Sequence, residues 1–170
     1  MKIYTVMHGH TELNKKKIIN TPQEGIEQAK LASLLLPKTI KTTYSSPFIR
    51  TKQTAEILNK SLNVPITFHE ELQEVNFGVL TGTSFLEEYN DKHKNLNYDW
   101  KPSGESVEQV KTRILKILKE IWANHNDGEI LIVTHGGIVR LLYFLEFDKI
   151  LEKLEDPSFV YTFDLNKILQ

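Results

Sequence analysis

Ile130-Leu131-Ile132-Val133 is a run of four apolar residues, three of them β-branched, with no polar residue among them. A strand in a half-solvated sheet alternates apolar with polar positions. A strand apolar at every position must be covered on both faces, as in parallel sheets flanked by helices. The neighbouring sequence supplies such helices. Val107, Val110, Ile114, Ile117 and Ile121 recur at three- and four-residue steps, which predicts an amphipathic helix opening at Ser106. A second helix is predicted over 137–147. Further strands are expected over 2–7, 40–44, 64–68 and 159–163. Helices are expected over 22–36, with Ile26, Ala29, Leu35 and Leu36 available for burial, and from an N-cap at Ser46 with Pro47 at N1 to about Leu62. Between 72 and 100 two glycines, several asparagines and aromatics leave room for one short helix near 84–94. Strands alternating with helices predict an α/β fold: a three-layer α/β/α sandwich with a mostly parallel central sheet. At 170 residues the chain fits a single domain spanning 1–170.

Composition narrows the function. Apolar residues at 40% and charged residues at 25% suit a globular chain rather than a disordered one. A net charge of −1 gives no general attraction to nucleic acid or to an anionic membrane, so neither is expected as a partner. Without cysteine there is no disulfide, no thiolate nucleophile and no cysteine-ligated zinc. No apolar stretch approaches the roughly 20 residues of a membrane span. Polar residues begin by His8, so no signal-peptide core is read at the N-terminus. A cytoplasmic protein is the expectation.

In open parallel sheets ligands sit outside the carboxyl ends of the strands. Two histidine–glycine motifs fall at such ends, His8-Gly9 after the first strand and His135-Gly136-Gly137 after the apolar run. A neutral imidazole can attack phosphorus without first losing a proton, which suits His8 to nucleophilic work. Gly9 permits close approach of substrate or backbone, and Thr11 and Asn14 supply neutral donors nearby. Arg50 lies in the first turn of a predicted helix, where free amides favour anions. A cation is at home there if a phosphate sits between it and the helix end. Ester cleavage needs a proton for the leaving oxygen, and Glu70, Glu71 or Glu74 could supply it. Residue type does not choose among the three. His135 stands between an apolar strand and a glycine-rich helix start. A polar ring there needs a partner, and with Gly136 it suits contact with an anion. Tyr89, Tyr98 and Trp100 either line a pocket or pack together.

These motifs, in this order, resemble the histidine phosphatase superfamily, also called phosphoglycerate-mutase-like. The similarity runs through Met7-His8-Gly9-His10-Thr11 with Asn14, then Ser45 to Ala55, Leu72 to Gly82, Gly104-Glu105-Ser106, and Val133-Thr134-His135-Gly136-Gly137. The resemblance implies a phosphatase without metal or cofactor, acting on a small phosphorylated metabolite and releasing inorganic phosphate. It implies that His8 becomes phosphohistidine, that Glu74 is the proton donor, and that Arg50 and His135 hold the equatorial oxygens. Gly9, Thr11, Asn14 and Gly136 join the phosphate-binding set. One position departs from the pattern: Met7 stands where the family carries arginine. A lost charge-assisted hydrogen bond of roughly 1.5–3 kcal/mol predicts turnover roughly ten- to a hundredfold slower. Other readings start from the same residues: a phosphoester-binding pseudoenzyme, a mutase, or a metal site at His8 and His10. The span from Gly82 to Gly104 is short for a mutase's substrate-enclosing insertion, which favours the phosphatase.

Overall fold

The computed structural model describes residues 1–11, 13–14, 17–18, 23–81, 87–125 and 128–170. In chain order these form β1 (Lys2–Met7), an antiparallel pair β2 (Leu13–Asn14) and β3 (Lys17–Ile18), α1 (Gln23–Leu35), β4 (Ile40–Ser45), α2 (Ile49–Leu62) and β5 (Ile66–Phe68). There follow α3 (Glu87–Lys94), α4 (Val107–Asn124), β6 (Glu129–Thr134), α5 (Gly136–Phe147), β7 (Tyr161–Asp164) and α6 (Leu165–Ile168). Single 3-10 turns lie at Glu70–Leu72 and Gly78–Leu80.

Among the described residues the main sheet has the order β5-β4-β6-β1-β7. Its first four strands are parallel and β7 runs antiparallel along β1. The apolar run is the middle strand, and its alternation explains why no position could be polar. Ile130 and Ile132 pack with Ile3 and Met7 against Ile114, Ile117 and Ile121 of α4 and Ile138 and Leu141 of α5. Leu131 and Val133 pack with Val6 against Ala32 of α1 and Ala55 and Leu58 of α2. Each such buried side chain contributes roughly 1.5–3 kcal/mol relative to exposure. The three-layer, mostly parallel architecture is thus present.

Helix α4 starts as its sequence predicts. Ser106 is the N-cap, and with Gln109 it forms a reciprocal capping box. Helix α2 starts later than expected, with Phe48 rather than Ser46 at the N-cap. The reason is that Ser46 still belongs to the sheet, its N–H donating to the Val133 carbonyl at 3.0 Å. Its hydroxyl is engaged elsewhere, as described below. Helix α1 buries Gly25, Gln28, Ala29 and Ala32, whereas Leu35 is 64% exposed. Small residues form this contact because α1 presses on the backbone after β1. Strand β5 begins at Ile66, and the last strand at Tyr161. The short helix expected near 84–94 is α3 from Glu87 onward, and 82–86 lie outside the described residues. None of the helices among the described residues is long and apolar enough to cross a membrane.

Candidate active site

Three adjacent parallel strands deliver three functional side chains to one edge. His8 extends the β1–β6 ladder by one bond, its N–H donating to the Thr134 carbonyl at 3.1 Å. The ring therefore stands beside the exit of β6, with its centroid 5.2 Å from that of His135. His8 Nδ1 lies 2.8 Å from the Gly9 carbonyl oxygen. A carbonyl only accepts, so Nδ1 carries the proton and Nε2 keeps its lone pair. Burial lowers the His8 pKa to about 4, aided by the charge of Arg50, and the ring is neutral at physiological pH. Gly9 has a steric role. A Cβ there would lie 2.3 Å from the Gly25 carbonyl oxygen of α1, so the close approach is made by backbone. Its N–H donates to Thr54 Oγ1 of α2 at 3.2 Å.

Arg50, the second residue of α2, is buried, and its guanidinium Nη2 donates to His135 Nδ1 at 3.1 Å. His135 therefore holds its proton on Nε2 and donates it to Ser46 Oγ, 2.9 Å away. Complete burial and the Arg50 charge push the His135 pKa well down. The partner that a polar ring beside an apolar strand requires is thus Arg50 on one side and Ser46 on the other. Arg50 Nε is buried without a hydrogen-bond partner among the described residues. A buried guanidinium donor left open is a place for an anionic oxygen.

Glu74 reaches the same edge from the loop after the Glu70–Leu72 turn. Its Oε1 accepts from Val75 N at 2.9 Å and its Oε2 from Gly137 N, in the first turn of α5, at 3.3 Å. Burial raises its pKa, outweighing the two amide bonds and the charges of Arg50 and Arg113. A carboxyl whose pKa is raised by burial is suited to work as a general acid. Arg113 of α4 holds the loop itself. Its Nη1 donates to the carbonyls of Glu71 and Gln73, its Nη2 to that of Glu74 at 3.2 Å, and its Nε to Glu105 at 2.8 Å. Glu105 in turn accepts from Asn76 N at 2.9 Å.

The structure separates the three glutamates that residue type left equivalent. Glu71 pairs with Lys116 at 2.8 Å on the surface, and Glu70 lies on the rim of a cavity of about 310 Å³. With Glu70, Glu71, Glu74 and Glu105 in its wall beside one arginine, that cavity is a poor host for a phosphate dianion. Gly136 opens α5, where an added Cβ would lie 3.7 Å from Met7 Sδ and 2.7 Å from Leu154 Cδ1. Met7 is 6% exposed and belongs to the core. His10 turns outward, its Nδ1 3.0 Å from Glu24 Oε1. Thr11 is half-buried just beyond. The side chains of Asn14 and Lys17, together with Lys15, Lys16 and Gly82, lie outside the described residues. Tyr98 and Trp100 stack at 5.6 Å, and Tyr89 meets Trp100 edge-on at 5.8 Å, so these aromatics pack together. Among the described residues no three His, Asp or Glu side chains converge as a metal site would need. Sequence reasoning missed Ser46 as an acceptor and Arg113 as the clamp on the Glu74 loop. The one available signal was an arginine flanking the apolar stripe of α4, eight residues after Glu105.

The chain is similar to known proteins over most of its length. The family described as Histidine phosphatase superfamily (branch 1) matches residues 3–162. A putative phosphoserine phosphatase 2 of Hydrogenobacter thermophilus is 28% identical over 159 residues, covering 85% of this chain and 77% of that protein. A probable phosphatase of Schizosaccharomyces pombe is 29% identical over 185 residues, covering 99% and 86%. Among solved structures, a mycobacterial glucosyl-3-phosphoglycerate phosphatase complexed with VO3 superimposes with a TM-score of 0.80 at 16% identity. The match covers 95% of this chain and 90% of that one, and it bears on the fold alone.

Proposed function

From the premise that this chain belongs to the histidine phosphatase superfamily, branch 1, and is a phosphatase of phosphate esters, we propose that it hydrolyses small phosphomonoesters through a phosphohistidine on His8. One observation carries this reading: the tautomer of His8 is fixed by the Gly9 carbonyl, leaving a neutral Nε2 for attack. In the first step the Nε2 lone pair forms a bond to phosphorus while the ester P–O bond breaks. The Glu74 proton passes to the leaving oxygen. In the second step water attacks the phosphorus, Glu74 takes its proton back from that water, and the P–N bond breaks to release inorganic phosphate. Arg50 stabilises the equatorial oxygens where charge accumulates. His135 fixes Arg50 and joins the clamp when a phosphate oxygen replaces Ser46 as acceptor of its Nε2 proton. On the family resemblance, this reading assigns Gly9, Thr11, Asn14 and Gly136 to the phosphate-binding set, requires no metal or cofactor, and takes the cytoplasm as the place of work.

A second reading, a phosphoester-binding protein with little or no turnover, rests on Met7. Its thioether lies beside the first turn of α5, where a cation would meet the phosphate, and it donates no hydrogen bond. One experiment addresses both. Phosphate release is measured from 4-nitrophenyl phosphate, phosphoserine, 3-phosphoglycerate and a simple alkyl phosphate, for the wild type and His8→Ala. Release that His8→Ala abolishes supports the covalent route, and release that survives it refutes that route. Stoichiometric phosphate binding without release establishes the second reading.

A further inference from the structure

One buried histidine beside Glu74 has no part in the reaction written above. His93 lies in the last turn of α3, its ring against Phe77 at 5.1 Å and Tyr98 at 5.6 Å. Its Nε2 is buried and has no hydrogen-bond partner among the described residues. The direction of that nitrogen can be read from Gly137. A Cβ built there would lie 2.7 Å from His93 Nε2 and 2.4 Å from Glu74 Oε1. The two atoms thus border one space at the start of α5, which only glycine leaves open, without bonding to each other. Burial, with the charge of Arg140, lowers the His93 pKa to about 4. The ring is neutral at working pH and can carry its one proton on Nε2. A buried nitrogen without a partner is uncommon and calls for an explanation.

We infer that His93 is a positioning residue for Glu74: its Nε2–H donates to the carboxylate that forms when the leaving oxygen takes the Glu74 proton, and holds that carboxylate for the water of the second step. The proton transferred is that of Glu74 throughout, and His93 keeps its own. Through the first step Glu74 goes from neutral to charged in a desolvated place. A donor that engages only the charged form favours the route forward. This inference rests on the phosphatase reading of the site.

Besides His93, the groups that act on Glu74 are Arg50 from α2, Arg113 from α4, Arg140 from α5, Tyr98 from the segment before α4, and the amides of Val75 and Gly137. Burial holds the Tyr98 hydroxyl above its ordinary range, and a guanidinium is not deprotonated in proteins, so neither kind of group titrates between pH 5 and 9. The test is kcat/KM for an alkyl phosphate across that range, in the wild type, His93→Phe, His93→Gln and His93→Asn. Activity falls on the alkaline side as Glu74 ionises. Removing the donor in His93→Phe should move that limb to higher pH by about half a unit or more, and lower kcat about tenfold or more with KM little changed. Glutamine places an amide N–H where Nε2 stood and should restore both, whereas the shorter asparagine should behave like phenylalanine. If His93→Phe does not fold, the Gln and Asn pair decides the question. A limb that stays in place, or Gln and Asn variants that are equally impaired, overturns the role of His93. A wild type that releases no phosphate from any ester overturns the phosphatase reading itself, and this inference with it.

Discussion

At the scale of single residues, hydrogen-bond partners matter as much as residue types. His8 and His135 sit 5.2 Å apart between centroids, yet they are held in opposite tautomers. The Gly9 carbonyl fixes the proton of one on Nδ1, and the Arg50 guanidinium fixes that of the other on Nε2. Met7 has no such partner. Its sulfur lies beside Gly136, so an arginine stem following the same path would bring a guanidinium past the first turn of α5. Met7→Arg is expected to raise kcat/KM at least about tenfold, the effect of one charge-assisted bond that strengthens in the transition state. Steady-state kinetics on the best ester of the panel decides it, and an unchanged value would show that the site works without that contact. His8, Arg50 and His135 were legible in the sequence because their chemistry is written in residue type and their place in strand exits and a helix start, whereas Glu74 was separated from Glu70 and Glu71 only by the family resemblance. His93 and Arg113 were not, because their roles depend on distances across the fold, and a histidine or arginine within a helix has many bland explanations.

At the scale of elements, the proposed proton donor depends on a helix it does not belong to. Glu74 sits in a loop outside helix and strand, and Arg113 of α4 binds three of that loop's carbonyls as well as Glu105. Arg113→Ala would leave those carbonyls and a half-buried carboxylate without their donor, destabilising the protein by about 2–4 kcal/mol. The loosened loop should lower kcat about a hundredfold, as expected for a displacement near 1 Å at the reacting centre. Arg113→Lys should fall between, since a point charge does not reproduce the planar fork. Lys116→Ala, which removes an exposed ion pair to Glu71 in the same segment, should leave both properties unchanged. Denaturant melts and kcat on the four proteins test this ordering. The main helices and strands were readable from apolar periodicity, and the differences have local causes. The sequence predicts Ser46 as a helix cap, but its bond to Val133 ties it to the end of the sheet. It offers Leu35 for burial, but α1 makes its contact through Gly25, Ala29 and Ala32 and leaves Leu35 exposed.

At the scale of the molecule, the buried histidines tie stability to pH. The pKa values of His8 and His93 fall from 6.5 unfolded to about 4 folded, and that of His135 falls well below 6.5. Between those limits the unfolded chain binds more protons, so stability is complete above pH 6.5 and is lost as pH falls toward 4. Each histidine contributes a slope of up to about 1.4 kcal/mol per pH unit. Glu74, with its raised pKa, works in the opposite sense above 4.5. Carboxylates held low, such as Glu105 and Asp156, act only below their ordinary range. Calorimetry should therefore show Tm dropping between pH 6.5 and 4.5, with a shallower drop in His93→Gln. A flat or rising Tm over that interval would contradict the neutral burial of these rings.

The order of the sheet also bears on when the protein becomes competent. Strand β1 leads into His8, the proposed nucleophile, yet both its neighbours, β6 and β7, come from beyond residue 128. The bond that seats His8, to the Thr134 carbonyl, spans nearly the whole sequence. On a ribosome, α1, β4, α2 and β5 can emerge and pair while the first strand still has no sheet to join. Closing so long a loop is a slow step in folding. An interrupted translation product that ends before β6 contains His8, Arg50 and Glu74 but cannot bring them together. The proposed site is thus assembled only when the last strands arrive.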